Sequence, residues 1–222
     1  MSQSIYYRAL ERAQELLAET QQATGTERAR HLRTWVDRQS AAQATSAQWD
    51  CRVGCTHCCR HPVGVTFPEA QLLAAAIRAL PAREREAITG RVFASARATT
   101  QTPWEGLTDQ ACPLLDEHGA CSLYAERPIP CRALGSLDAS ACEDPGRHAR
   151  IPFDEPAFLA GLAAGSLVAG EVGHRELRSG LAAVLQASNE AAREAFAAAR
   201  RVGEATGSSH PKGQAESAGD ST

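Results

Sequence analysis

Apolar residues recur at three- and four-residue intervals over several stretches of the chain, and that period predicts amphipathic helices. Over residues 5–22, Tyr6, Leu10, Ala13 and Leu17 fall on one face; Thr24-Gly25-Thr26 interrupts them, and 27–48 reads as a second helix carrying Leu32 and Trp35. Thr66-x-x-Glu69 is a capping-box signature, and Pro68 occupies a first-turn position that needs no amide hydrogen. The helix it opens is expected to run to about Leu80, with Leu72, Leu73, Ala76, Ile77 and Leu80 inward. Pro81 punctuates, and 82–100 is predicted to be a helix built around Ile88, Val92 and Phe93. Further on, 173–200 sets Leu177, Leu181, Val184, Leu185, Ala192 and Phe196 on a single helical stripe.

Between these stretches the periodicity fails. A cysteine loop spans 51–61, and Pro62–Thr66 is too short to be more than an extended connector. From Thr102 to Pro156 prolines and cysteines replace the helical period. There, Cys112-Pro-Leu-Leu115, a turn at Asp116–Gly119 and Cys121-Ser-Leu-Tyr124 predict a small hairpin that brings Cys112 and Cys121 together. Arg127-Pro-Ile-Pro-Cys131-Arg132 reads as a rigid extended segment presenting Cys131. After Gly203 no apolar period survives, and 203–222 is expected to be a disordered tail.

The fold class that follows is mainly α: a helical frame around a small, loop-rich cysteine centre, with at most a short β-hairpin. The divisions fall at 1–48 (N-terminal helical extension), 49–150 (cysteine-cluster domain), 151–202 (C-terminal helices) and 203–222 (tail).

Composition narrows the function. Of the 222 residues, 43% are hydrophobic but 43 residues are alanine and 5% are aromatic, which suits packed helices better than a β-sandwich. The net charge of −3 provides no global positive field for nucleic acid or an anionic membrane. No uncharged run reaches membrane-spanning length. A start of Met-Ser-Gln-Ser-Ile-Tyr-Tyr-Arg lacks a secretory pattern, so a cytoplasmic location with reduced thiols is expected.

In that compartment the eight cysteines point to metal rather than to disulfides. All lie between Cys51 and Cys142, in the order Cys51-x3-Cys55-x2-Cys58-Cys59, a gap of 52 residues, then Cys112, Cys121, Cys131 and Cys142. Thiolates hold soft or borderline metals, and intervals of two to four residues let one loop aim several sulfurs at one centre. Adjacent side chains diverge by about 100° in a helix. The Cys58-Cys59 pair therefore suggests a second metal atom or a polynuclear centre. Arg52, Arg60 and Arg132 each follow a cysteine and are expected to offset thiolate charge.

The cluster through Arg60, together with Val63-x-Val-Thr-x-x-Glu69, Cys112-Pro-Leu-Leu, Gly119-x-Cys-x-Leu-Tyr124 and Arg127-Pro-x-x-Cys131-Arg132, resembles the YkgJ family of cysteine-cluster proteins. That family is regarded as a zinc- or iron-chelating domain of the CxxCxxCC type, and flagellin lysine N-methylases carry a similar cluster. The resemblance covers roughly residues 48–150. It implies that Cys51, Cys55, Cys58, Cys59, Cys112, Cys121, Cys131 and Cys142 are the metal-binding positions, and Tyr124, Arg127, Pro128 and Arg132 match the rest of the motif. Two departures stand out: three residues separate the first cysteines where the family label has two, and Gly54 precedes Cys55 where a glycine commonly follows it.

His57 is a candidate ligand or ligand-orienting donor whose commoner fate is a solvent-facing loop position; His61 and His118 are weaker candidates. Tyr124 is expected to pack the hairpin over the centre rather than act as a catalytic acid, and Trp35, Trp49 and Trp104 read as core or lid residues. Two functions remain. One is a module holding zinc or iron, with the flanking helices as a frame or protein-partner surface. The other is an iron–sulfur enzyme of redox or group-transfer type, such as a protein N-methylase-like activity.

Overall fold

The computed structural model describes residues 3–44, 50–51, 54–108, 110–133, 135–143, 173–187 and 189–199. The alanine-rich stretch before 173, Trp49, Arg52 and the expected tail at 203–222 lie outside these residues.

The fold is mainly helical. Helix α1 (Gln3–Ala18) buries Ala13 and Leu16. It ends where the Thr20 hydroxyl donates to the Leu16 and Leu17 carbonyls. Helix α2 (Gly25–Ala44) starts from a reciprocal cap: Glu27 N–H donates to Thr24 Oγ1 and Thr24 N–H to Glu27 Oε2. Its inner face sets Ala29, Leu32, Val36 and Trp35 at helical spacing. Helix α3 (Phe67–Ala79) has the predicted capping box, and α4 (Ala82–Ala98) begins directly after Pro81. Leu72, Leu73, Ile77, Ile88 and Val92 are buried, as their periodicity implies, while Ala76, Leu80 and Phe93 are half-buried.

Three local expectations are corrected. The 127–132 segment is not extended: Ile129–Ala133 forms a short helix, α5. Pro128 and Pro130 sit at its start, where a missing N–H costs no helical hydrogen bond. The connector pairs as a strand, β1 (Gly64–Val65), antiparallel to β2 (Arg175–Glu176), with Gly64 opposite Glu176 and Val65 opposite Arg175. The stripe at 173–200 belongs to two helices, α6 (Leu177–Gln186) and α7 (Asn189–Ala198), separated by extended backbone at Ala187.

Helix α6 packs on α3, α4 and α7, and α2 packs on α3 and α5. One core joins Val65, Leu73, Ile77, Val92, Leu181 and Phe196, with Phe67 and Phe196 tilted against each other at 5.4 Å between centroids. Cys112 and Cys121 pack against the edge of that core. The cysteine loops are thus carried on a rigid helical support.

Candidate metal centre

Short-range geometry aims each cysteine. Gly54 takes φ +90°, a turn conformation open to glycine, and leads into Cys55. Cys58 and Cys59 lie on a 3-10 turn, His57–Arg60, closed by Cys59 N–H on the Thr56 carbonyl. The predicted hairpin forms around a single bridge, Leu115 to Cys121, with Gly119 at φ +77° in the turn. The Asp116 carboxylate accepts the His118 and Ala120 N–H groups there. Cys131 projects from α5, which Glu69 ties to α3: its Oε2 accepts Thr66 N–H and its Oε1 accepts Ile129 N–H at 2.8 Å.

The early and late cysteines meet. Cys112 N–H donates to the Cys59 carbonyl at 2.8 Å. Cys55, Cys58, Cys59, Cys112, Cys121 and Cys131 line one cavity of about 330 Å³. Cys51 is exposed and is not among the lining residues; Asp50 and Cys51 N–H groups both donate to the Ser136 carbonyl, and Ser136 N–H donates back to Cys51 Sγ at 3.0 Å. Cys142 lies close enough to Cys51 to act on it electrostatically, as Cys55 and Cys58 do. The Cys58 and Cys59 side chains face the same space, so adjacency in sequence does not separate them here.

As free thiols, Cys51, Cys58, Cys112, Cys121 and Cys131 resist ionisation. Hydrogen bonding to Cys59, then burial, pushes the Cys58 thiol far up. Burial, followed by the neighbouring Cys112, Cys58 and Cys121, raises Cys131. Burial lifts Cys112 to about 11, against opposing pulls from the Leu114 N–H and Arg178, and it raises Cys121 and Cys51 as well. A bound cation would reverse that preference by taking the place of the protons.

Of the three arginines that follow cysteines, Arg52 lies outside the described residues, and Arg60 and Arg132 do not line the cavity. Arg60 is exposed. Arg132 turns away, pairing with Asp37 on α2 and donating to the Ala125 and Arg127 carbonyls. Arg127 and Arg178 line the cavity instead. Arg127 favours the ionised forms of Cys58, Cys121 and Cys131, and Arg178 that of Cys112. Arg178 was not singled out from sequence: it lies far from every cysteine along the chain.

Other candidates sort by position. Tyr124 lines the cavity and is 51% exposed, with the Arg127 guanidinium 3.7 Å from its ring centroid. His61 lines the cavity, whereas His57 is half-buried beside Glu143 at 3.5 Å and His118 is exposed. Trp35 is a core residue, and Trp104 is half-buried.

No three His, Cys, Asp or Glu side chains among the described residues converge tightly enough to coordinate one ion as they stand. A tetrahedral zinc with Zn–S bonds of about 2.3 Å needs sulfurs about 3.8 Å apart. The donor chemistry nevertheless fits a soft or borderline metal: six sulfurs share one cavity, with two guanidinium groups in its wall.

The comparison with protein families agrees. Residues 50–145 match the family model described as "CxxCxxCC: Putative zinc- or iron-chelating domain". The matched segment spans every cysteine and supports metal binding as its activity. No curated protein and no solved structure matches the chain. Among the described residues, no helix is long and apolar enough to cross a membrane.

Proposed function

We propose that this protein is a metal-binding module that holds zinc or iron through its clustered cysteines. Cys55, Cys58, Cys59, Cys112, Cys121 and Cys131, which line the cavity, are the inner donors, and Cys51 and Cys142, coupled electrostatically to each other, the outer ones. The observation that carries the reading is the meeting of two cysteine groups 52 residues apart around one cavity, fastened by the Cys112–Cys59 backbone hydrogen bond.

Bound there, the metal would supply the cross-link that a loop-rich segment with little apolar surface lacks. The chain's own groups do the rest. The capping-box Glu69 fixes the helix that carries Cys131. The Asp116 turn fixes the hairpin that carries Cys121. Arg127 lowers the cost of several thiolates sharing one small space.

A second reading, an iron–sulfur redox or group-transfer enzyme, is favoured by one observation. A cavity of about 330 Å³ exceeds the room one ion needs, and Leu115, Pro128 and Pro130 give it an apolar wall beside the sulfurs. Anaerobic purification, elemental analysis and a visible spectrum separate the two. One or two zinc ions in a colourless protein support the module. Brown protein with iron and inorganic sulfide, absorbing near about 400 nm, supports the cluster. Protein that retains neither metal under these conditions overturns both.

A further inference from the structure

Two cavity-lining side chains, Leu177 and Arg178, come from α6, beyond the segment that matches the chelating domain. Arg178 is 2% exposed, and every nitrogen of its guanidinium is engaged. Nη1 donates to Glu176 Oε1 at 2.7 Å and Nε to Ser95 Oγ at 3.1 Å. Nη2 donates to the Gln110 carbonyl at 2.5 Å and, more weakly, to the Ala111 carbonyl at 3.4 Å. Those two carbonyls immediately precede Cys112.

Glu176 is itself fixed. Its Oε2 accepts the N–H groups of Arg178 and Ser179 as the cap of α6, and its backbone pairs with Gly64 across the two-stranded sheet. Leu177 N–H adds a hydrogen bond to the Val63 carbonyl at 2.8 Å. One rigid unit therefore runs from the strand that follows the early cysteines, through the Glu176–Arg178 pair, to the main chain that delivers Cys112.

A buried ion pair is a costly way merely to hold a helix in place, because apolar side chains of similar volume do that as well or better. The planar fork does what no apolar group can: it grips two consecutive carbonyls while leaving a positive charge in the cavity wall.

We propose that Arg178 is a positioning residue of the metal centre, clamping the Gln110–Ala111 main chain so that the Cys112 sulfur is presented to the cavity. This rests on the metal-binding reading above. A lysine keeps the charge but cannot span Glu176, Ser95 and two carbonyls at once.

The test uses the full-length protein, stripped of metal under anaerobic reducing conditions and titrated with Co²⁺ alone. Its thiolate-to-cobalt charge-transfer band reports how many sulfurs bind. Wild type, Arg178→Lys, Cys112→Ser and Ser95→Ala are compared, with circular dichroism recording the fold. Arg178→Lys is expected to keep its helicity and to bind Co²⁺ about 10–100-fold more weakly. Its band should fall to the intensity of Cys112→Ser. A lowered melting temperature with a band of wild-type intensity would identify a mere brace for α6 and overturn the proposal. Should Arg178→Lys not fold, Ser95→Ala decides, since it removes only the acceptor of Nε. Reduced affinity and band intensity then support the clamp, and wild-type values overturn it. Wild-type protein that develops no sulfur band overturns the metal reading itself, and this proposal with it, a result distinct from one confined to Arg178.

Discussion

Cys58 and Cys59 illustrate how far a neighbour rule extends. Divergence of adjacent side chains argues for a second metal atom or a polynuclear centre, and on the short 3-10 turn both residues line the same cavity, an arrangement that a polynuclear centre can use. Cys58→Ser should lose bound metal, because that thiol is shielded, hydrogen-bonded to Cys59 and surrounded by other donors. His57→Ala should retain the full metal content, since its imidazole sits beside Glu143 rather than in the cavity wall. Elemental analysis of the two variants checks both statements, and metal loss from the histidine variant alone would reverse the assignment. Arg127 is the residue with the widest electrostatic reach, facing Cys58, Cys121 and Cys131. Arg127→Met should weaken zinc binding by about 10–100-fold in competition with a chromogenic chelator. Arg132→Met, which breaks a pair with Asp37 away from the sulfurs, should leave that affinity within a few fold.

Elements were legible wherever their signal was local. Thr66 and Glu69 sit three residues apart and announce their own helix, and the structure adds only that Glu69 also holds Ile129. The helix at Ile129–Ala133 is hidden because two prolines in six residues resemble an extended strand, whereas the burial of Ile129 and Ala133 and the Ile129 N–H bond to Glu69 are long-range features. The stripe from Leu177 to Phe196 was right in its apolar positions and wrong in its continuity, because a helical hairpin and one long helix share the same period. What permits the hairpin is Gly180. A methyl group there would lie 2.8 Å from Phe196 Cε2 and 3.2 Å from Arg175 Cβ. Phe196 is fully buried, so its ring has nowhere to retreat. Gly180→Ala normally gains about 1 kcal/mol of helix propensity. Here overpacking should outweigh that gain and leave a net loss of about 1–2 kcal/mol in urea denaturation. A variant more stable than wild type would mean that α6 and α7 are not so closely packed.

Across the whole molecule, the centre is assembled from parts that no local pattern could relate. The sequence indicated which residue types would do the chemistry, but the partners that set their charge, Arg127 over three thiols and Arg178 beside a fourth, depend on the packing of α5 and α6. That packing makes stability depend on pH in a definite direction. In the unfolded chain a thiol titrates near 9.0, whereas burial holds Cys112 protonated to about 11 and moves Cys51, Cys121 and Cys131 the same way, as the hydrogen bond with Cys59, and then burial, does for Cys58. Below about pH 8 both states are protonated and the thiols contribute no pH dependence. Above pH 9 the folded protein binds more protons than the unfolded one, so the metal-free fold should lose stability as pH rises toward 11. The slope is about 1.4 kcal/mol per pH unit for each thiol still held neutral. Chelator-treated, fully reduced protein melted across this range checks the sign. Metal reverses the dependence: each thiol that binds must release its proton, so affinity should rise with pH and the metal should dissociate on acidification. At a free concentration 1,000 times its dissociation constant, the metal should add about 4 kcal/mol to stability. That gain is expected to shrink as pH falls from 8 to 5, and a metal-induced rise in melting temperature that did not change with pH would show that the thiols are not the ligands.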